Sequence, residues 1–331
     1  MKEGDFLMIE IKDLCVEFET EKGMLKALRG VDFQVHPGEI LGIVGESGSG
    51  KSVTATSMMG LLPKQVIKSG EILIDGTSVL SLSRNELSKL RGNKISMIFQ
   101  EPGRSFDPLY SIGKTFSETL LRANPSLSKE DCNKRTVELL KEVGIPNPEE
   151  RLNNFPHQFS GGQLQRVMIA LAVAAKPSYL IADEPTTALD VTIQERIVRL
   201  LKDMKEKYNL AVIFITHDLS LIQSIADKIL VMYSGLVLEY GKTSEVLSQP
   251  LHPYTKGLLS SIPRPGANYR TEKLVAIPGN IPDPIKPPSG CPFAPRCKFA
   301  ESICTQNVSL KTLENGRQYR CIPEVAEDVR N

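Results

Sequence analysis

The sequence predicts an α/β protein with a mostly parallel central sheet, and three apolar stretches carry that prediction. The first, Ile40–Val44, leads directly into the glycine-rich residues 45–52. The second covers residues 179–182 and ends at Asp183-Glu184, and the third covers residues 210–215. Continuous apolar strands that alternate with helical stretches are typical of a parallel sheet covered on both faces.

The remaining elements follow from local periodicity. Alternating apolar residues predict antiparallel strands, Asp-Gly and Ser-Gly predict hairpin turns, and 3.6-residue periodicity predicts helices. From about residue 101 to 177 the pattern is helical with polar breaks, which indicates an inserted helical subdomain. In chain order we predict strands over 9–18, 31–35, 70–76, 95–99, 229–233 and 236–240, and helices over 51–62, 159–175 and 192–208.

Composition excludes some classes of partner. The chain has 331 residues and a formal net charge of +1, which gives no bulk attraction to nucleic acid or to an anionic membrane. Its longest apolar run, residues 167–175, is too short to span a bilayer. Residues 1–5 contain no apolar signal core, so we expect a cytoplasmic protein whose membrane contacts come through partners.

Residues 45–52 fit the pattern G-x-x-x-x-G-K-[ST] between a strand and a helix. Glycines let successive N–H groups turn toward a phosphate, and the helix N-terminus adds partial positive charge. Lys51 would reach the β- and γ-phosphates, and the Ser52 hydroxyl would bind Mg²⁺. A chance glycine-rich turn is the alternative, and the flanking strand and helix disfavour it. The predicted phosphate-binding residues are Gly45, Ser47, Gly48, Ser49, Gly50, Lys51 and Ser52, and the prediction extends to position 53, which is Val53.

Asp183-Glu184 closes an apolar strand, so both carboxylates should lie at the carboxyl edge of the sheet, near the phosphate loop. Asp183 would hold Mg²⁺, and Glu184 would act as general base toward the attacking water. Acidic pairs after strands are also common helix caps, and the phosphate loop upstream is what favours the catalytic interpretation.

Phe159-Ser160-Gly161-Gly162-Gln163 opens a predicted helix, with Ser160 suited to cap it. Together with the phosphate loop, this stretch resembles the ATP-binding cassette (ABC) family, whose signature is Leu-Ser-Gly-Gly-Gln. The resemblance covers about residues 9–254. It implies a RecA-like parallel core with an antiparallel β subdomain and a helical subdomain. It also implies roles for Gln100 (Q-loop), Ala188-Leu189-Asp190 (D-loop), His217 (switch histidine) and Phe18 (stacking on adenine).

The resemblance implies a mechanism as well. ATP would lie between the phosphate loop of one subunit and the signature of another, so hydrolysis would require a dimer. Glu184, His217 and Lys51 would be the catalytic residues. Closure on ATP and opening after hydrolysis would drive membrane domains between two states.

Within the family the chain is most similar to ATP-binding subunits of bacterial dipeptide and oligopeptide importers. The residues that carry this are Phe155-Pro156-His157, residues 183–192, His252-Pro253-Tyr254-Thr255-Lys256 and residues 290–297. The similarity implies two transmembrane permease subunits, a paralogous ATP-binding subunit or a homodimer, and an extracytoplasmic peptide-binding protein. It places the chain at the cytoplasmic face of the membrane.

Residues 101–108 depart from the usual pattern of these importers, which leaves nickel or another small solute open as cargo. A soluble ABC ATPase outside transport is a second alternative. Such proteins usually carry two cassettes or a long coiled coil, and this chain shows one cassette and no sustained heptads. A kinase using the phosphate loop would leave residues 160–163 unexplained.

We predict an ATPase domain over residues 1–254, with the helical insertion at about 101–177, and a proline-rich linker with a small Cys-rich module over 255–331. Cys291, Cys297, Cys304 and Cys321 lack zinc-ribbon C-x-x-C spacing, so a 4Fe–4S cluster is favoured over zinc, with free thiols as the remaining alternative. The importer resemblance implies the same cluster. Nearby cations would offset its charge: Arg296, Lys298, Arg317 and Arg320. Cys15 and Cys132 are expected to be ordinary buried thiols.

Overall fold

The computed structural model describes residues 7–187, 189–262, 276–322 and 329. The strands are β1 (Ile9–Thr20), β2 (Gly23–Val35), β3 (Ile40–Val44), β4 (Ile67–Ile74), β5 (Thr77–Ser78), β6 (Ile95–Ile98), β7 (Tyr179–Asp183), β8 (Ala211–Thr216), β9 (Lys228–Tyr233), β10 (Leu236–Lys242), β11 (Lys311–Thr312) and β12 (Gln318–Tyr319). The helices are α1 (Lys51–Met58), α2 (Arg84–Asn93), α3 (Pro102–Ser105), α4 (Ile112–Ala123), α5 (Lys129–Glu142), α6 (Pro148–Arg151), α7 (Gly161–Val173), α8 (Val191–Tyr208), α9 (Leu219–Ile225), α10 (Thr243–Ser248) and α11 (Pro253–Ser260).

The chain divides into two compact units. The first takes residues 1–35, 39–80 and 215–331, and the second takes residues 36–38 and 81–214. In the first unit, a four-stranded antiparallel sheet has the order β2-β1-β4-β5. Ile9 and Ile11 are buried in alternation along β1, as the sequence predicts, and after a register shift between Ile11 and Leu14 the alternation resumes with Leu14 and Val16.

The first unit also contains the strands β11-β12-β10-β9-β3 as neighbours. β3 pairs with β9 in parallel, with Gly42 opposite Ile229, and every residue of β3 is buried. β9 and β10 form the predicted hairpin, whose turn has Ser234 and Gly235 at positive φ of 47° and 77°. Two positive φ angles are what a two-residue hairpin turn of the favoured hand requires.

The second unit has the strands β8-β7-β6 as neighbours. β6 and β7 are parallel, with Met97 opposite Ile181. Every residue of β7 and β8 is buried, which is the pattern of a parallel core covered on both faces. The α/β fold with mixed sheets is therefore confirmed.

Helices α3 to α7 of the second unit lie between Pro102 and Val173, inside the stretch where helical periodicity was predicted. Helices α4, α5 and α7 pack together around buried apolar side chains, among them Phe116, Leu139 and Val167. The limits of the helical insertion at about 101 and 177 stay a prediction.

The C-terminal segment does not support the expected separate Cys-rich module. Strand β12 pairs with β10, with Tyr319 opposite Glu239, and so extends a sheet of the first unit. The buried guanidinium of Arg317 donates to the Glu239 carboxylate at 2.8 Å. Two-residue strands carry no readable periodicity, which is why the sequence gives no sign of this pairing.

Candidate functional site

The phosphate loop connects β3 to α1, as predicted. Gly45 and Gly50 have φ angles of 157° and 104°, in the region that favours glycine. A Cβ at Gly45 would meet the Met232 carbonyl oxygen at 2.2 Å, so no larger residue fits there. Gly50 is the N-cap of α1 and has no side chain that could cap the first N–H groups of that helix.

Lys51 starts α1 and is only 6% exposed. Its Nζ donates to the carbonyl oxygens of Gly45 at 2.8 Å and Glu46 at 3.0 Å, so the lysine curls back over its own loop. The buried Ser49 Oγ has no hydrogen-bond partner among the described residues, and a Cβ at Gly48 would meet no atom within 4 Å. A buried hydroxyl without a partner beside open space fits the cradle of an anionic group.

The other predicted phosphate-loop residues face outward. Ser47 and Ser52 are exposed, and Val53 is half-buried in the first turn of α1. The Ser52 hydroxyl therefore lies at an accessible helix start, where Mg²⁺ binding requires it.

Asp183 ends β7 and is 5% exposed, and Glu184 follows it at a φ of 47°. A left-handed backbone is costly for a residue with a Cβ, by about 1–3 kcal/mol, and such residues cluster at functional sites. The Glu184 carboxylate accepts hydrogen bonds from Gln100 Nε2 at 2.9 Å and Thr187 Oγ1 at 2.8 Å. Gln100 and Glu184 were predicted as separate site residues, and the structure joins them by a hydrogen bond. The contact between Thr187 and Glu184 was not predicted.

The signature stretch begins α7. Ser160 Oγ accepts from the Gln163 N–H, and the Gln163 side chain accepts from the Ser160 N–H, which completes a capping box. Ser160 and Gly161 are exposed, and a Cβ at Gly161 would meet nothing within 4 Å. This helix start is therefore rigid and accessible.

The remaining predicted residues occupy ends of elements. His217 is exposed immediately after β8, and Asp190 caps α8 by accepting from the Ile193 N–H at 3.0 Å. Phe18 lies in β1 opposite Leu25 and is half-buried. Ala188 of the predicted D-loop lies outside the described residues.

A contact that sequence analysis missed joins the phosphate loop to the C-terminal segment. The Arg296 guanidinium donates to both carboxylate oxygens of Glu46, at 2.6 and 3.1 Å. The Glu46 N–H donates to the Tyr254 hydroxyl at 2.9 Å. Arg296 was expected to offset the charge of a cluster, and the structure pairs it with Glu46 instead; the ion pair raises the pKa of Arg296.

Of the four C-terminal cysteines, Cys291, Cys304 and Cys321 are buried and Cys297 is half-buried, all as free thiols. Burial is the main cause that raises the pKa of Cys297 to about 11 and of Cys321 to about 12, and Cys291 and Cys304 add to both shifts. In the part of the chain that the structure describes, however, no group of three or more His, Cys, Asp or Glu is arranged to hold a metal ion. The geometry therefore supports neither the predicted iron–sulfur cluster nor zinc.

Both Cys15 and Cys132 are free thiols, in β1 and α5. Cys132 is buried, as expected, whereas Cys15 is only half-buried. Among the described residues, no helix is both long and apolar enough to cross a membrane.

Two family models match the chain. One described as "ABC transporter" covers residues 28–187, and one described as "Oligopeptide/dipeptide transporter, C-terminal region" covers residues 238–304. The second match includes α11 and three of the four C-terminal cysteines, so this segment is itself characteristic of a transporter group.

Curated relatives match over most of their length. The chain is 50% identical over 297 residues to the dipeptide transport ATP-binding protein DppD of Lactococcus lactis, covering 89% of this chain and 84% of the relative. It is 50% identical over 298 residues to the oligopeptide transport ATP-binding protein OppD of Bacillus subtilis, covering 89% and 83%. A solved dimer of the ATP-binding cassette MJ0796 with ADP and Pi is 31% identical, with a TM-score of 0.64, over 71% of this chain and 98% of that one.

Proposed function

The chain belongs to the ATP-binding cassette (ABC) transporter family, and from this premise we propose that it hydrolyses ATP to power the import of dipeptides or oligopeptides. Relatives that are half identical over 89% of the chain confirm the resemblance seen in its motifs. Their names specify dipeptide and oligopeptide transport, and this supports peptides as cargo over nickel or another solute.

One observation carries the ATP-binding part of the proposal. The phosphate loop holds a buried Lys51 against its own carbonyl oxygens, beside the partnerless Ser49 hydroxyl and open space at Gly48. When a triphosphate binds, its oxygens would replace these carbonyl oxygens as acceptors for the Lys51 ammonium, and the N–H groups at the start of α1 would also donate to them.

Each predicted residue then has a role in hydrolysis. Lys51 and the loop N–H groups stabilise negative charge that develops on the γ-phosphoryl group. Glu184 orients the attacking water and accepts its proton, with Gln100 and Thr187 holding the carboxylate in place. His217 contacts the γ-phosphate, and Phe18 stacks on the adenine ring.

Mg²⁺ fits the donors present, because hydroxyl and carboxylate oxygens are the ligands that it prefers. Ser52 and Asp183 would hold it, and when bound it neutralises charge on the transferred phosphoryl group. The phosphate-loop residues themselves supply the other positive contacts.

The accessible signature helix supports a composite site. Gly161, the first residue of α7, is exposed and has open space where a side chain would be. A second ATP-binding subunit, either a paralogue or another copy, would place its bound ATP against this helix start. The solved dimeric cassette that this chain resembles was described in a post-hydrolysis state, which fits the same arrangement.

The proposed assembly lies at the cytoplasmic face of the membrane. Two transmembrane permease subunits would receive the motion of the cassettes, and an extracytoplasmic peptide-binding protein would deliver the cargo. With no spanning helix among the described residues, the chain would be peripheral and held through the permeases.

Co-purification and uptake test this function. The tagged chain is isolated from native membranes, and uptake of labelled di- and oligopeptides is measured in a deletion strain complemented with wild type or Lys51→Ala. We expect permeases to co-purify and uptake to return with wild type alone. Normal peptide uptake in the strain that lacks the chain would overturn the proposal that peptides are the cargo. Complementation that restores nickel uptake and not peptide uptake would also overturn it.

The predicted 4Fe–4S cluster at Cys291, Cys297, Cys304 and Cys321 remains a separate proposal, with zinc as its alternative. Its support is the number and spacing of the four cysteines in the sequence, together with the importer resemblance. Anaerobic purification followed by iron, sulfide and zinc analysis tests it. Absorbance near roughly 400 nm with bound iron is the expected result, as for Cys-ligated iron–sulfur sites. A metal-free protein would overturn both versions.

A further inference from the structure

Glu46, the second residue of the phosphate loop, is anchored at three points. Lys51 holds its carbonyl oxygen, the Tyr254 hydroxyl accepts from its N–H, and Arg296 binds its carboxylate with two hydrogen bonds. Tyr254 and Arg296 both come from the C-terminal part of the chain, 208 and 250 residues away in sequence. The loop is thus held by residues outside the phosphate-binding motif.

Arg296 is itself rigid. Its side chain is 5% exposed and also donates to the Pro278 carbonyl at 2.8 Å and to the Tyr233 hydroxyl at 3.1 Å. The aromatic rings of Tyr233 and Phe293 lie within 6 Å of the guanidinium. A fork of donors fixed in this way matches a carboxylate better than a flexible lysine would.

We propose that Arg296 is a positioning residue of the nucleotide site, which holds Glu46 and cancels its negative charge so that the loop can accept a triphosphate. The proposal rests on ATP binding by the phosphate loop. Two physical arguments support it, one about the shape of the loop and the other about its charge.

Lys51 must change its hydrogen-bond partners when ATP binds. Its ammonium now holds the Gly45 and Glu46 carbonyl oxygens, and it must exchange these for phosphate oxygens when ATP binds. From that moment the loop near Glu46 is held by Arg296, by the Tyr254 hydroxyl and by the Ser49 N–H, which donates to the Glu46 carbonyl oxygen at 3.2 Å. Without Arg296, the Glu46 carboxylate would lose its anchor, and only contacts to the backbone of Glu46 would remain among these three.

The negative charge of the Glu46 carboxylate lies in a loop that must bind an anion. An unpaired carboxylate inside a loop that binds a polyanion repels the ligand, and partial burial weakens screening by water. Paired with Arg296, the carboxylate contributes little net field. Removal of Arg296 alone should therefore harm ATP binding more than removal of both charges together.

The difference in ATP affinity between the single and the double variant distinguishes a positioning role from a purely structural ion pair. If the pair only stabilised the C-terminal segment, Arg296→Ala, Glu46→Gln and the double variant would lower the melting temperature and leave the affinity of the folded protein for ATP unchanged. If Arg296 positions the loop and cancels its charge, Glu46→Gln should rescue ATP affinity in the Arg296→Ala background.

The test uses the full-length chain and measures the Kd of MgATP by displacement of a fluorescent ATP analogue, with thermal unfolding recorded for every variant. We expect Arg296→Ala to weaken binding about tenfold, which corresponds to about 1.4 kcal/mol. Glu46→Gln should weaken it by less, and the double variant should return to the Glu46→Gln value. Lys286→Ala, which removes an exposed cation from the same C-terminal segment, is the matched control and should bind as wild type.

Arg296→Lys is the alternative variant if Arg296→Ala fails to fold, because lysine keeps the positive charge and lacks the two-pronged guanidinium. We expect its affinity for MgATP to lie between those of wild type and Glu46→Gln. Wild-type affinity in folded Arg296→Ala or Arg296→Lys, or a double variant as weak as Arg296→Ala, overturns the inference. Failure of the wild-type chain itself to bind MgATP would overturn the proposed function instead.

Discussion

The phosphate loop and the signature are both glycine-rich starts of helices, and the structure holds them in different ways. The phosphate loop is buried at Ser49, Gly50 and Lys51 and is tied to distant parts of the chain through Glu46. The signature at Ser160 and Gly161 is exposed and is held by its own capping box.

The difference indicates two kinds of anion site. A buried loop with a curled lysine is a pocket that can bind its ligand within one subunit. An exposed, capped helix start with room above it is a surface that acts on a ligand bound elsewhere. The proposed dimer requires one of each on every subunit, and substitutions in the two should therefore fail in different ways.

Lys51→Ala should have the largest effect, because it removes the positive charge that meets the phosphates. We expect MgATP binding to weaken severely and the rate of hydrolysis to fall by about 100- to 1,000-fold. ATP binding and phosphate release by the purified chain are the measurements. Lys134→Ala, on the exposed face of α5, is a control for loss of charge. Unchanged hydrolysis in Lys51→Ala would remove the phosphate loop from the site.

Glu184→Gln should separate binding from turnover. The amide can still accept from Gln100 and Thr187 but cannot take a proton from water, so we expect wild-type ATP affinity and a loss of turnover of about 100-fold or more. Equilibrium binding and single-turnover hydrolysis, measured on one preparation, distinguish the two steps. Full hydrolysis in this variant would exclude Glu184 as the general base.

Gly161→Glu should sharpen the contrast between the two sites. Its new side chain meets open space within the subunit, so stability should change by no more than about 0.5 kcal/mol and monomer ATP binding should persist. Hydrolysis should still fall by about tenfold or more, because a carboxylate would face the partner's phosphates. Gly103→Glu, also at an open glycine in the same unit, is the matched control. A variant with normal hydrolysis would mean that the signature does not meet ATP.

The stability of the protein should depend on pH through His252, which lies beside the segment that holds the phosphate loop. His252 caps α11, which carries Tyr254, and its Nδ1 accepts from the Tyr254 N–H at 3.0 Å. Burial lowers the pKa of His252 from 6.5 to about 3. Below about pH 6.5 the unfolded chain therefore binds a proton that the folded chain excludes, and the free energy of unfolding should decrease until about pH 3.

At about 1.4 kcal/mol per pH unit below the unfolded pKa, the expected loss between pH 6.5 and pH 5 is about 2 kcal/mol. Denaturant unfolding at pH 7.5 and pH 5 measures it. His252→Asn keeps a capping acceptor and should show a weaker decrease between these two values, whereas the exposed His157→Asn should behave as wild type. Equal pH dependence in His252→Asn and wild type would show that His252 is not the group responsible.

Local patterns predicted most of the elements and the site. The phosphate loop, the Asp75-Gly76 turn and the cap at Ser160 each follow from a few neighbouring residues, and the structure has them where they were expected. Helix α1 ends at Met58, four residues before the predicted end, because helix boundaries are weakly specified by sequence.

Contacts between distant residues could not be predicted in the same way. Glu46 and Arg296 are 250 residues apart, and neither charge indicates its partner in the sequence. The pairing of β12 with β10 depends on two residues of one strand. The predicted cluster drew on the number and spacing of cysteines, which do not specify whether the thiols converge with ligand geometry.

A mixing experiment tests the composite site most directly. Lys51→Ala and Gly161→Glu chains are each assayed alone and then combined, at a concentration at which the wild-type chain hydrolyses ATP by itself. In a two-fold symmetric dimer, half of the mixed subunits would form hybrid dimers with one intact site each, so we predict recovery to about a quarter of the wild-type rate. A mixture no more active than its two inactive parents would contradict a site shared between subunits.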